Sequence, residues 1–214
     1  MGINPSVREI LTRSGAEWAG TQRRFETLSS LGIGSMTGAS DETVERVVQR
    51  CLTYFMANPY RSWFDPLEPL VDDLFGASYD DGSACHLDIV QWPTQPLWGQ
   101  LASTTRTELT TSGLALLREQ FSGDALQCAY LNGRTVCEAV GTFVPLSART
   151  ARFKDRGPVR GFFHGTYEGV HVVGCSSNLQ VERLRAGERS EFRTWIVDEC
   201  RRDLALTAPR RPVS

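Results

Sequence analysis

No run of about 18 consecutive apolar residues, the minimum for a membrane-crossing helix, occurs in this 214-residue chain. A membrane partner is therefore not expected. The N-terminus has neither a basic n-region nor an apolar h-region, so no signal peptide is expected and the expected location is cytoplasmic. No two of the six cysteines (Cys51, Cys85, Cys128, Cys137, Cys175, Cys200) stand at C-x-x-C spacing. Reduced, mostly buried thiols are expected, with no zinc or iron–sulfur centre, because those need ligands clustered at fixed spacings. G-x-S-x-G, P-loop and G-x-G-x-x-G signatures are also missing, which weighs against the usual small-molecule α/β hydrolases and transferases. Positive charge is not in excess. The formal net charge is -2, so there is no bulk attraction to nucleic acid, although a local basic patch is enough for binding.

What is present suits one α/β domain over residues 1–214. Apolar residues make up 41% of the chain, enough for a sizeable core. Helical spacing predicts helices over Gln22–Leu31, Asp41–Met56, Leu67–Phe75, Thr104–Gln120, Thr135–Val140 and Arg189–Leu204. Asp41 reads as the N-cap of the second, with Val44, Val47, Val48, Leu52 and Phe55 as its apolar stripe. In the fourth, Leu109, Gly113, Leu116 and Leu117 form the inner face. Strands are predicted at Cys85–Trp92 and Ala125–Leu131. A hairpin of Val159–Tyr167 and Gly169–Gly174 is predicted around a Glu-Gly turn. Arg149 to Arg160 holds five basic residues and one acid. It reads as a solvated loop or as a phosphate-contacting one. The segment 60–64 reads equally as core or surface, and the tail 208–214 as frayed.

Strands separated by helices imply a mainly parallel sheet covered on both faces, with ligands bound outside the carboxyl ends of its strands. Four places then become candidates: Gly2–Ser6, Trp92–Thr94, Asn132–Arg134 and Cys175–Gln180.

Those same places resemble the uracil-DNA glycosylase superfamily, most closely its mismatch-specific branch. Gly2-Ile3-Asn4-Pro5 is similar to the first motif. Trp18 and Arg24-Phe25 follow it as that branch's aromatic residue and Arg-Phe pair do. The segment from Leu87 to Thr94 resembles its proline-threonine segment, and Val172–Leu179 falls at its second motif. The resemblance implies a three-layer α/β/α fold and hydrolysis of the N-glycosidic bond of a flipped uracil or related deaminated base. It implies no cofactor and no metal. The implied partner is DNA containing such a base, bound by a monomer.

Under this resemblance Asn4 positions the attacking water; Asn before proline is also a common turn residue. Trp18 stacks on the base, or is an ordinary half-exposed tryptophan. Ile3 and Pro5 line the base site, and backbone N–H groups near Ile3 and Trp18 read the base edge. His86 and Asp88 alternate on a strand and so share one side, where they bind the base; a buried histidine satisfied by backbone is the plainer alternative. Asn132 and Arg134 line the rim, with Arg134 against phosphate. Cys175 and Ser176 stand where the branch has Asn-Pro, and a thiol donates weakly. Ser177 and Asn178 contact phosphate. Leu179 is the apolar wedge, or a cap on the last helix. A catalytically altered member that binds nucleic acid or protein is the competing expectation. Because almost nothing precedes Gly2, the first core strand is expected to be truncated. That would leave two unpaired edges mid-sheet and a poorly stable chain, and an upstream apolar strand is expected in the natural protein.

Overall fold

The structure is a computed structural model; it describes residues 1–207 except 155, 156, 181, 183, 185 and 186. Eight helices and four strands are described: α1 Leu28–Leu31, α2 Asp41–Leu52, α3 Tyr54–Ala57, α4 Arg61–Phe64, α5 Glu68–Phe75, α6 Ser103–Phe121, β1 Cys128–Asn132, α7 Arg134–Val140, β2 Ser147–Arg152, β3 Val159–Tyr167, β4 Val170–Cys175 and α8 Glu188–Thr207. The fold is mixed α/β. Among the described residues no helix is long and apolar enough to cross a membrane.

The four strands lie in the order β1-β4-β3-β2. β1 and β4 are parallel, while β4–β3 and β3–β2 are antiparallel. The sheet is thus mixed rather than mainly parallel, because a two-residue turn folds β4 straight back on β3. Glu168 and Gly169 both take positive φ there (48° and 88°), as a tight hairpin requires.

The expected gap at the first core strand does not open. Met1 donates to Tyr130 O (2.8 Å) and accepts from Asn132 N (3.3 Å) on one side. Gly2 donates to Leu87 O (2.9 Å) and accepts from Ile89 N (3.2 Å) on the other. Both are the alternating pattern of parallel neighbours. Residues 1–3 therefore lie between β1 and residues 87–90. The predicted strand Cys85–Trp92 shrinks to this short ladder, with one bridge at Gly2–Asp88.

Side chains alternate along β1 and bury both faces of the sheet. Tyr130 joins Phe162, Val173 and Cys175 against α5 and α8, in a cluster extended by Tyr54, Phe64 and Tyr79. Phe64 places the undecided segment 60–64 at the core. Ala129 and Leu131 join Val170 and Val172 against α6 and α7. In α6 the buried residues are Gly113, Leu114, Leu117 and Phe121; Leu116, expected inside, is exposed. Gly113 is where α6 touches the 87–90 ladder: a Cβ there would lie 1.9 Å from Ile89 O. Gly113→Ala is expected to cost about 3 kcal/mol through overpacking, lowering the midpoint of thermal unfolding by about 6–12 °C. A melt unchanged from that of the unsubstituted chain would remove this contact from the account.

Two predicted helices differ. Over 22–31 only α1 is α-helical, because Thr27 and Ser30 form a capping box at its start; Gln22 ends a short 3-10 turn. The helix from Asp41 stops at Leu52, capped by Ser40 rather than Asp41. Thr53 then redirects the chain so that Tyr54 enters the core. Among the described residues most of the apolar stripe is left uncovered: Val44, Val48 and Leu52 are exposed, Val47 is half-buried, and Phe55 packs on the core. The basic segment also differs, since Ser147–Arg152 is a strand; Asp155 and Arg156 lie outside the described residues, as does the tail 208–214.

Candidate functional site

The four candidate segments sit at the carboxyl ends of the parallel elements, and they join in two pairs. In the first, Asn4 Nδ2 donates to Pro5 O and to Thr94 Oγ1, each at 3.2 Å. A carbonyl only accepts, so the contact with Pro5 fixes which way the amide points. Asn4 Oδ1 accepts no hydrogen bond among the described residues, and the residue is half-buried. An amide held by its donor end offers a directed acceptor to water.

Beneath it, His86 and Asp88 do share one side. A Cβ on Gly2 would lie 2.3 Å from Asp88 Oδ1 and 3.1 Å from His86 Nε2. Glycine is thus what lets both side chains close on the main chain. His86 Nε2 is 3.4 Å from Asp88 Oδ1. The imidazole packs edge-on to Phe64 at 5.1 Å. Its Nδ1 is buried without a partner among the described residues, so the backbone-satisfied alternative does not describe it.

Sequence reasoning missed Glu9. The turn Val7–Glu9, capped by Ser6, carries this carboxyl inward, leaving it 4% exposed. Its Oε2 accepts from Tyr54 Oη at 2.8 Å and lies 3.8 Å from Arg24 Nη1. Burial raises the carboxyl from its ordinary 4.5 to about 7, against the lowering pull of the Tyr54 hydroxyl and of Arg24; Asp88 adds to the rise. The fold therefore favours the neutral acid. That contribution to stability is whole below about 4.5 and is lost as the pH rises through about 7. Nothing local marks Glu9, since its partners come from three distant segments.

Trp18 is half-buried and held rather than open. Its Nε1 donates to Arg8 O (2.9 Å), and its backbone N–H is spent on Ile10 O (3.0 Å), which removes it as a reader of the base edge. The Arg24 guanidinium lies over the Trp18 ring at 5.3 Å and over the Tyr60 ring at 5.0 Å. Ile3 packs its side chain against the core beside α6, so it backs the site rather than lining it. Pro5 contributes its carbonyl to Asn4.

In the second pair, Asn132 is buried and both ends of its amide are engaged. Its Oδ1 accepts from Leu179 N (3.1 Å) and its Nδ2 donates to Gln180 Oε1 (2.6 Å). It ties down the loop after β4 instead of facing a base. Cys175 is fully buried, and its Sγ accepts from Ser177 N. Burial pushes that thiol up to about 11. Ser177 is 3% exposed, its Oγ without a partner among the described residues, and Leu179 is 8% exposed within the core. These three do not present a DNA-facing surface, because the loop folds its apolar side under α8. Ser176 is half-buried, and its Oγ accepts from Gly161 N (2.8 Å). Asn178, also half-buried, packs on Gly133. Arg134 is exposed at the rim, with Glu138 at 3.8 Å.

Two surface cavities flank this edge. One of about 280 Å³ is bordered by Arg134, Thr150, Gly161 and Phe163, and one of about 170 Å³ by Val90, Trp92, Gly113 and Leu116. Neither is lined by Asn4, Trp18 or His86. Among the described residues no cluster of three metal-ligating side chains occurs. No family model, no curated protein and no solved structure matches the chain.

Proposed function

We propose that this chain is a DNA glycosylase of the uracil-DNA glycosylase type, with that superfamily's three-layer architecture. It acts as a cytoplasmic monomer on DNA carrying a uracil or related deaminated base. The observation that carries the reading is the Asn4 amide, tethered through its nitrogen to Pro5 and Thr94 with its oxygen left to accept. In such a reaction the base leaves as an anion and water attacks C1′ of the sugar. An amide does not ionise usefully, so Asn4 orients water rather than deprotonating it. His86 and Asp88 together offer a donor and an acceptor to the N–H and C=O edge of a deaminated base. Arg134, Ser176 and Asn178 are the rim groups for phosphate.

A second reading is a non-hydrolysing DNA-binding member of the same type. The burial of Leu179 favours it, since the wedge that would hold a base out of the stack is withdrawn while Arg134, Ser176 and Asn178 stay at the rim. Duplexes carrying uracil, hypoxanthine or xanthine separate the two. The first reading expects free base; binding without release supports the second. Neither binding nor release with any of them defeats both. Affinity is expected to fall with added salt, and Arg134→Ala to reduce the log–log salt slope by about 1. An unchanged slope would take Arg134 off the phosphate.

A further inference from the structure

We infer that Glu9 is a positioning residue for the stacking face of Trp18, acting through Arg24. The inference rests on the proposal that Trp18 meets a flipped base.

Arg24 is the hub. Its Nη1 donates to Arg8 O (2.8 Å) and its Nε to Asn58 O (2.9 Å). Its guanidinium lies over both the Trp18 and Tyr60 rings. Trp18 is thus fixed twice, by its indole N–H on Arg8 O and by its ring face on Arg24. Among the described residues the acid within reach of this guanidinium is Glu9, at 3.8 Å. Tyr54 joins both sides of the clamp. Its hydroxyl donates to Glu9 Oε2 and accepts from Tyr60 N, each at 2.8 Å. The ionised carboxylate pulls on Arg24 in a dry setting, where such attraction is strong. The neutral acid keeps the Tyr54 contact and loses the pull.

The groups that face Glu9 are Tyr54 from α3, Arg24 from the segment before α1, and Asp88 from residues 87–90. Burial places its titration near 7. The clamp is therefore firm above that pH and loosened below it.

The test reads Trp18 directly. The chain has five tryptophans, whose indole N–H signals resolve in a ¹⁵N–¹H spectrum; Trp18→Phe assigns one of them. That signal is expected to shift between pH 5.5 and 8.5 with a midpoint near 7. In Glu9→Gln, where glutamine still accepts from Tyr54, the shift is expected to vanish. In Tyr54→Phe, which removes a donor that lowers the acid, the midpoint is expected to move up. In parallel, the preference for a uracil duplex over an undamaged one is expected to rise about two- to fivefold across the same range, the worth of one cation–π contact. A pH-invariant Trp18 signal, or a step that persists in Glu9→Gln, overturns the inference. A step that behaves as expected beside no preference for uracil at any pH supports the positioning and overturns the glycosylase reading.

Discussion

Asn4→Ala is expected to lower base release by about 100-fold, with the affinity for the same duplex unchanged. The reason is geometric. In the proposed hydrolysis Asn4 is no base, so the rate depends on holding one water in line with the sugar carbon. Asn4 is already aimed, because its amino group faces a carbonyl and a hydroxyl. Thr94→Val removes one of those two acceptors and is expected to cost about fivefold, the worth of one hydrogen bond of about 1 kcal/mol. Single-turnover release, with enzyme in excess, isolates the chemical step from product loss. If Asn4→Ala releases base at the rate of the unsubstituted chain, the motif is a turn and the water is held elsewhere. Aspartate at this position offers a sharper contrast. It can take a proton, but it loses the donor end that holds the side chain still.

Arg149→Ala is expected to destabilise the fold by about 3 kcal/mol, although Arg149 opens a segment that reads as a loop. Its guanidinium is forked onto Asp203, with Nε to Oδ1 at 2.7 Å and Nη2 to Oδ2 at 3.0 Å. It also reaches Glu199 Oε2 (2.6 Å) and the Glu199 carbonyl (2.9 Å). The aromatic ring of Phe162 lies 5.0 Å from it. Asp203 is fully buried and Glu199 nearly so. Alanine leaves Asp203 out of water without its main counter-charge, for which His164 Nδ1 at 3.6 Å is a poor substitute, while Glu199 keeps only Arg202 Nη1 at 2.6 Å. Thermal unfolding should fall by about 6–12 °C for a chain of this length. Arg149→Lys keeps the charge without the planar fork and is expected to recover only part of the loss. A melt within a degree or so of the original would mean that water already screens the cluster, as it does for surface pairs.

These two residues show where sequence reading succeeds and where it stops. Asn4 sits in a motif whose neighbours are also its structural context, so its place at a strand end is legible. The Glu168-Gly169 turn and the helices at Arg134 and Glu188 are legible for the same reason: local chemistry decides them. Arg149 is hidden because its strand, SARTAR, has a basic residue at every third position among small ones and carries no apolar face. Its partners come from α8, far along the chain. Glu9 is hidden likewise, since its burial depends on Tyr54, Arg24 and Asp88 together. Leu179 shows the reverse. Its type suits either a wedge or a core contact, and only the packing of α8 over the loop decides between them. The stripe on α2 is legible as a face, but periodicity does not say whether anything covers it.

The seating of residues 1–3 has a kinetic consequence. Their hydrogen-bond partners lie in residues 87–90 and in β1, with 129 positions separating Met1 from Tyr130. Closing so long a loop costs entropy before any contact returns it, so this pairing belongs late on the folding path. The hairpin of β3 and β4, joined by two residues, can form early and template β1. Only then does a slot exist for residues 1–3, and Asn4 hangs directly from that slot. Partly folded chains would therefore hold most of their sheet and no aligned amide, so the proposed base release would lag behind the recovery of secondary structure during refolding.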